Sequence, residues 1–332
     1  MEPADASLAP PPRANPDLVG HDAAERELRR LFDAGRLPHA LLFGGPRGIG
    51  KATLAFRLAR FVLAGAGGEG LAVAAESGAF RRVASGGHAD LLTVERGWDA
   101  RRRRLRSEIV VDDAREIGAF LHLTPAEGGW RVVVVDGADE MNRNAANALL
   151  KILEEPPRQT LLVLVAHSPG RLLPTIRSRC RRMALAPLAD ETVHALLARY
   201  RPDLAAEERA ALSGLAEGSI GRALDFAAVG GAELYRTVSG LMARLDLARL
   251  HGFADRLVRP DATEAYRAVE ELLCGLLARR ARAAAAEDGA AAARWARLRA
   301  EIGDTFARTE ALNLDRKQAI LGAFFAIGGA AE

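Results

Sequence analysis

The sequence predicts an α/β domain with a mostly parallel sheet, followed by two helical domains. Strand and helix patterns alternate in the first part of the chain, which is typical of a doubly wound sheet. Two apolar runs, Arg131–Asp136 and Leu161–Ala166, have the length and composition of strands buried on both faces. After Pro187 the strand patterns end and helical spacing continues to the end of the chain.

The composition indicates a globular protein without disulfides. A chain of 332 residues is long enough for two or three domains, and its net charge of +3 is close to neutral for that length. The two cysteines, Cys180 and Cys274, are too few for a disulfide framework or a zinc cluster. No run of 18 apolar residues occurs, so we expect a cytoplasmic protein with no membrane association.

Changes in composition along the chain predict the domain boundaries. Residues 1–16 are acidic and proline-rich, and we expect a disordered tail there. The α/β domain then covers residues 17–187. It includes an insertion at 64–108, with a Gly/Ala-rich arm and an arginine-rich loop. Residues 188–238 predict a small helical domain, and residues 239–332 predict a helical C-terminal domain.

A glycine-rich loop follows the first predicted strand, Ala40–Phe43. Residues Gly45 to Lys51, with Gly48 and Gly50 between them, fit the first seven positions of the phosphate-loop pattern G-x-x-x-x-G-K-[ST]. The glycines allow backbone N–H groups to turn toward phosphate oxygens, and the helix that follows favours negative charge. The lysine would reach the outer phosphates. The sequence therefore predicts a nucleotide-binding loop.

The residues that hydrolysis requires are missing from this predicted site. The eighth position, whose hydroxyl normally binds Mg²⁺, is Ala52, and Thr53 lies about 100° further around the helix. Asp136 ends the valine strand where it could support magnesium, but Gly137 stands where an active ATPase of this type has a glutamate. We expect ATP or ADP binding to be possible, hydrolysis to be absent and no cofactor to be required. Asp139 is expected to cap a helix.

Several segments resemble the clamp-loader branch of the AAA+ proteins. The first two are NALLKILEEPP at Asn147–Pro157 and TIRSRC at Thr175–Cys180. Within that branch, GGHADLLTVE at Gly86–Glu95 and NLDRKQAILGAFF at Asn313–Phe325 are similar to the delta-prime subunits of bacterial DNA polymerase III. The resemblance covers roughly residues 17–328. It implies an AAA+ core with a helical lid and a helical collar domain.

The resemblance also implies partners and one catalytic residue. The partners would be gamma/tau and delta subunits in a pentameric ring, and through the ring the sliding clamp and primer-template DNA. Arg179 matches the arginine finger that points into the neighbouring subunit's ATP site. Such a guanidinium stabilises charge on the transferred phosphoryl group. The alternative interpretation of Arg179 is an ordinary surface arginine.

Three departures from the family pattern affect these expectations. Residues 64–87 contain no cysteine in place of the family's four-cysteine module, so no zinc is expected, and His88 is interpreted as a capping or solvent-facing residue. Gly221 occupies the position of the nucleotide-sensing lid arginine, with Arg222 one place later. Lys51 is retained, although some relatives have lost more of the loop.

Two other functions remain open at this point. An active gamma/tau-type ATPase would need serine or threonine at position 52 and glutamate at 137. A stand-alone DNA-binding module would need a stronger basic balance, although the loop of Arg101–Arg104 and Arg106 could touch phosphates or simply be solvated. No carboxylate set for two-metal polymerase chemistry is visible, so a polymerase activity would belong to the holoenzyme.

Overall fold

The structure is a computed structural model that describes residues 9–68, 70–99, 104–127 and 129–331. The described residues form two compact units. The first unit holds the chain up to Val193 and also Gly218–Gly221. The second holds His194–Glu217 and the chain from Arg222 onward.

The first unit is built on a five-stranded parallel sheet. The strands in chain order are β1 (Ala40–Gly44), β2 (Leu91–Val94), β3 (Trp98–Asp99), β4 (Arg104–Leu105), β5 (Arg131–Asp136), β6 (Thr160–Ala166) and β7 (Arg181–Ala184). The sheet order is β2-β5-β6-β1-β7, and every neighbouring pair is parallel. β3 and β4 form a separate antiparallel ribbon. The predicted fold class, a mostly parallel α/β core followed by helices, is confirmed.

Helices flank the sheet of the first unit. They are α1 (Asp22–Asp33), α2 (Lys51–Leu63), α3 (Gly78–Ser85), α4 (Val111–His122), α5 (Arg143–Glu154) and α6 (Pro174–Arg179). The valine strand shows how the sheet is covered. Val132 and Val134 belong to one core cluster and Val133 and Val135 to the other, and all four are fully buried. The run of four valines therefore reflects burial on both faces, as predicted.

The second unit is helical throughout its described residues. Its helices are α7 (Asp190–Tyr200, which begins in the first unit), α8 (Ala206–Leu215), α9 (Ile220–Ala228, whose first two residues belong to the first unit), α10 (Gly231–Ala243), α11 (Leu247–Leu257), α12 (Thr263–Ala284), α13 (Gly289–Ala311) and α14 (Arg316–Ala331). Aromatic pairs form part of its core, with ring centroids 5.1 Å apart for Tyr266 and Phe306. This unit contains most of the predicted lid and all of the predicted collar, and the boundary between them at 238 stays a prediction.

Two local expectations need correction. Residues 1–8 of the predicted disordered tail lie outside the described residues, but Pro12–Ala14 form a 3-10 helix. Buried Arg60 donates hydrogen bonds to the carbonyl oxygens of Arg13 at 2.8 Å and Asn15 at 2.7 Å, and so holds this segment in place. The arginine-rich segment at 98–108 was expected to be an exposed loop, but Trp98–Asp99 and Arg104–Leu105 pair as the β3–β4 ribbon. In the part of the chain that the structure describes, no helix is long and apolar enough to cross a membrane.

Candidate functional site

The glycine loop joins β1 to α2 at the carboxyl edge of the parallel sheet. Gly48 and Gly50 have φ angles of +75° and +103°, a left-handed conformation that glycine adopts without steric cost. Gly50 directly precedes the first residue of α2, Lys51. Strand, glycine loop and helix thus meet as the sequence predicts, and the backbone has the turns that a phosphate loop requires.

The segment that leads into α9 holds the loop from the other side. The Gly221 N–H donates to the Gly48 carbonyl oxygen at 2.9 Å, and the Ser219 hydroxyl donates to the Arg47 carbonyl oxygen at 2.8 Å. A Cβ atom added to Gly221 would lie 2.8 Å from the Gly48 Cα, closer than real contacts allow. A nucleotide-sensing lid would need an arginine at position 221, and its side chain would not fit there. Arg222 pairs instead with Glu217 at 3.1 Å and with Glu271 at 3.4 Å.

Lys51 is turned back onto its own loop. Its ammonium group donates to the Pro46 carbonyl oxygen at 2.5 Å, and the residue is 3% exposed. Burial lowers the pKa of Lys51 to about 8, although the negative charges of Asp136 and Asp139 oppose this shift. A phosphate could replace the carbonyl as the partner of this ammonium group and supply the charge that the buried site lacks.

Residues around Ala52 and Gly137 do not provide a magnesium site. Ala52 offers no oxygen on its side chain. Burial raises the pKa of Asp136, and the neighbouring carboxylate of Glu95 raises it further. A side chain at Gly137 would be strained, because φ is +80° and an added Cβ would lie 2.8 Å from Glu140 Oε2. In residues 9–68, 70–99, 104–127 and 129–331 no group of three or more His, Cys, Asp or Glu side chains could hold a metal ion. The described side chains here therefore do not offer the set of oxygen donors that Mg²⁺ prefers.

The two acidic residues after Gly137 are both engaged. The Asp139 carboxylate accepts hydrogen bonds from the backbone N–H groups of His167 at 2.9 Å and Ser168 at 2.7 Å. These bonds hold the segment between β6 and the 3-10 helix Pro169–Arg171, so Asp139 has a structural role, but the expectation that it caps a helix is wrong. Glu140 forms an ion pair with Arg96 at 2.8 Å.

Two histidines in this region were not predicted from the sequence. His21 is buried, and its Nε2–H donates to the Ile49 carbonyl oxygen at 2.6 Å, which fixes the loop next to Gly50. His167 follows β6, and both burial and the charge of Lys51 lower its pKa, so its ring is neutral at neutral pH. Nothing in the pattern around either histidine singles it out, because each acts through a tertiary contact.

Arg179 ends α6 and points away from the core. The helix is anchored by Ile176, which is fully buried, and by Cys180, which is 8% exposed and whose pKa burial raises to about 11. The Arg179 side chain remains 36% exposed and forms an ion pair with Glu154 Oε1 at 2.6 Å. Its other Nη atom donates to the Thr175 carbonyl oxygen at 3.0 Å. The guanidinium group therefore lies partly exposed at the end of a helix whose neighbouring side chains are buried.

The remaining predicted residues take structural positions. His88 is 3% exposed and its Nδ1 accepts from the Asp90 N–H at 3.2 Å, so the capping interpretation holds and the solvent-facing one is wrong. Arg106 faces Asp113 at 3.8 Å. Arg101–Arg103 lie outside the described residues, as does the side chain of Arg104. Thr53 is half-buried in α2.

The fold and loop define the first unit as a phosphate-loop α/β domain, with Ala52 after the loop lysine and Gly137 after the last residue of the valine strand. The family model described as DNA polymerase III, delta subunit, matches residues 20–189, about half of the chain. The chain therefore belongs to this family.

Individual relatives agree with this assignment. The chain is 40% identical over 185 residues to the DNA polymerase III subunit delta' of Pseudomonas aeruginosa, covering 54% of this chain and 53% of the relative. It is 30% identical over 279 residues to the DNA polymerase III subunit gamma/tau of Mycobacterium tuberculosis, covering 80% of this chain and 46% of the relative. A solved structure of a DNA polymerase III gamma subunit-related protein from Thermotoga maritima aligns with 92% of this chain and 99% of its own, at 18% identity and a TM-score of 0.47. The chain spans about half the length of the sequence relatives it matches.

Proposed function

We propose that this chain is a non-hydrolysing subunit of the DNA polymerase III clamp loader, and that it supplies Arg179 to the ATP site of a neighbouring subunit. The observation that carries the proposal is the contrast between the two sites. The chain's own loop lacks the groups for hydrolysis, whereas Arg179 is exposed on an anchored helix.

The surroundings of Ala52 and Gly137 support the absence of hydrolysis. Position 52 offers no hydroxyl to magnesium. The φ of +80° at Gly137 disfavours a glutamate there, and the nearby Glu140 carboxylate forms an ion pair with Arg96. The loop itself can still take up ATP or ADP passively, because Lys51 needs only to exchange the Pro46 carbonyl for a phosphate.

The catalytic contribution of Arg179 would be made in trans. A guanidinium that reaches the transferred phosphoryl group accelerates the reaction by about 10³–10⁵, which corresponds to roughly 4–7 kcal/mol of barrier. Giving up the exposed ion pair with Glu154 costs only about 0–1 kcal/mol. The gain therefore exceeds the cost of releasing the side chain.

The partners follow from the relatives. The neighbours would be gamma/tau and delta subunits, and the chain would meet the sliding clamp and primer-template DNA through the assembled complex in the cytoplasm. Neither zinc nor another cofactor is required. Polymerase activity would belong to the holoenzyme of which this chain is a part.

ATP turnover tests the proposal in two mixtures. The isolated chain should show no turnover above buffer, and adding it to the gamma/tau and delta subunits should raise the DNA-stimulated turnover of the mixture. Size-exclusion chromatography of the same mixture shows whether the ring has assembled. Turnover by the isolated chain at the rate of gamma/tau would contradict the non-hydrolysing role.

The second candidate is an active gamma/tau-type ATPase. It is favoured by the gamma/tau relative, whose match extends over 80% of the chain. This candidate predicts turnover by the isolated chain that Lys51→Ala abolishes. The proposed function predicts no difference between that variant and the wild type.

A further inference from the structure

A groove between α10 and α12 belongs to the second unit, whereas the phosphate loop and Arg179 belong to the first. It encloses about 320 Å³. Its lining combines the apolar side chains of Met242 and Leu276 with Tyr235 and two arginines. We refer to it as the arginine groove, and the residues that line it are Tyr235, Ser239, Met242, Leu276, Arg279, Arg280 and Ala283.

The surroundings of the arginine groove are strongly positive. Residues 276–299 contain six arginines and only two acidic residues. Arg282 is neutralised by Glu217 at 2.5 Å. In contrast, Arg279 and Arg280 have no carboxylate of a described residue within 4.0 Å, and the same holds for Arg294 and Arg297. The positive charge at this surface is therefore not compensated within the described part of the chain.

A tryptophan ring lies beside two of these arginines. The Arg280 guanidinium lies over the Trp295 ring, 5.2 Å from its centroid, and the Arg294 guanidinium lies 5.7 Å from the same centroid. Trp295 is itself held by partial burial against the core of the second unit. Two guanidinium groups therefore lie within cation–π distance of the same indole ring.

Ser239 also lines the arginine groove, but its hydroxyl group is closed to solvent. The Ser239 Oγ atom is inaccessible, and the described residues offer it no hydrogen-bond partner. A ligand in the groove would therefore meet the two arginines and Tyr235 and would not reach this hydroxyl group.

We propose that the arginine groove binds single-stranded DNA. Arg279 and Arg280 pair with backbone phosphates. Bases stack on the Tyr235 ring and on the planar groups around Trp295. Uncompensated arginines beside aromatic rings are the chemistry by which proteins hold single strands without sequence preference. An acidic peptide would use the charge but would gain little from this row of planar groups.

Fluorescence anisotropy of a labelled oligo(dT), titrated with the full chain over a series of salt concentrations, tests this site. We expect the double substitution Arg279→Ala/Arg280→Ala to weaken binding about fivefold or more. The slope of log K against log salt should fall by about 1.4, because two phosphate contacts are lost at about 0.7 each. The single substitution Arg280→Lys should keep the wild-type salt slope, because lysine retains the charge. Its affinity should be lower than that of the wild type, because lysine lacks the planar group that stacks.

Arg256→Ala is the matched control, because Arg256 is an exposed arginine that also lies over an aromatic ring, 5.9 Å from the centroid of Phe253. It should leave both affinity and slope nearly unchanged. An equal loss in the control and the groove variants would overturn the proposal, as would the absence of oligo(dT) binding by the wild type. Displacement of oligo(dT) by poly-glutamate at the same charge concentration would assign the groove to an acidic partner instead.

Discussion

Replacing Gly221 by alanine should destabilise the first unit, although alanine is the better helix former. The added Cβ would lie 2.8 Å from the Gly48 Cα and 3.5 Å from the Gly48 carbonyl oxygen. These are backbone atoms, so the clash cannot be relieved by rotating a side chain. Overpacking of this kind costs about 1–3 kcal/mol, and separating the two backbones also weakens the hydrogen bond between Gly221 N–H and Gly48 C=O.

The gain in helix propensity that opposes this destabilisation is smaller. Alanine gains up to about 1 kcal/mol over glycine inside a helix, and Gly221 is only the second residue of α9. The net loss should be about 1–2 kcal/mol, which lowers the unfolding midpoint by about 2–4 °C for each kcal/mol in a domain of this size. Thermal unfolding followed by circular dichroism measures this change directly.

Gly252→Ala provides the matched control. Gly252 lies inside α11, and a Cβ added there would meet no atom within 4 Å. The same substitution should therefore stabilise the protein by about 0.5–1 kcal/mol. If both variants shifted the unfolding midpoint in the same direction, the close contact between Gly48 and Gly221 would not be what constrains position 221.

Three further predictions concern buried or paired charges. The pKa of Lys51 is 10.5 in the unfolded chain and about 8 in the folded chain. Between these two pH values the unfolded chain binds more protons than the folded one. The free energy of unfolding therefore rises with pH in this range, by up to about 1.4 kcal/mol per pH unit. Lys51→Met should remove this rise and be the more stable protein at pH 7 in denaturant titrations. Glu154→Gln should free Arg179 and lower the concentration needed for half-maximal ATPase stimulation by up to about fivefold, with Glu155→Gln as its control. Arg60→Met should release the Pro12–Ala14 segment and speed tryptic cleavage after Arg13, and unchanged cleavage would contradict the anchoring role.

The sequence was sufficient for the parts of the fold that local patterns encode. The valine run of Arg131–Asp136 predicts a strand covered on both faces, because four consecutive β-branched side chains in so short an apolar run favour a buried strand over a buried helix. The glycine loop is equally local, since positive φ angles at Gly48 and Gly50 are required by the turn itself. These features need no knowledge of distant residues.

The missed features depend on contacts between distant segments. His21 reaches Ile49 across 28 positions, and Ser219 reaches Arg47 across 172. No spacing rule connects such pairs, because the sheet topology brings them together only after folding. For the same reason the ion pair of Arg179 with Glu154 could not be anticipated, although both residues lie in recognised motifs.

ATP turnover with an Arg179→Ala variant tests the central claim most directly. The variant chain is mixed with gamma/tau and delta subunits and DNA, and ring assembly is checked on the same sample. We predict an assembled ring that has lost most of the stimulation contributed by the wild-type chain. Arg181→Ala removes an exposed arginine two positions away that pairs with Glu27 at 3.4 Å, and it should leave this stimulation intact. An assembled ring whose turnover is the same with Arg179→Ala as with the wild type would contradict the role of Arg179 as an arginine finger.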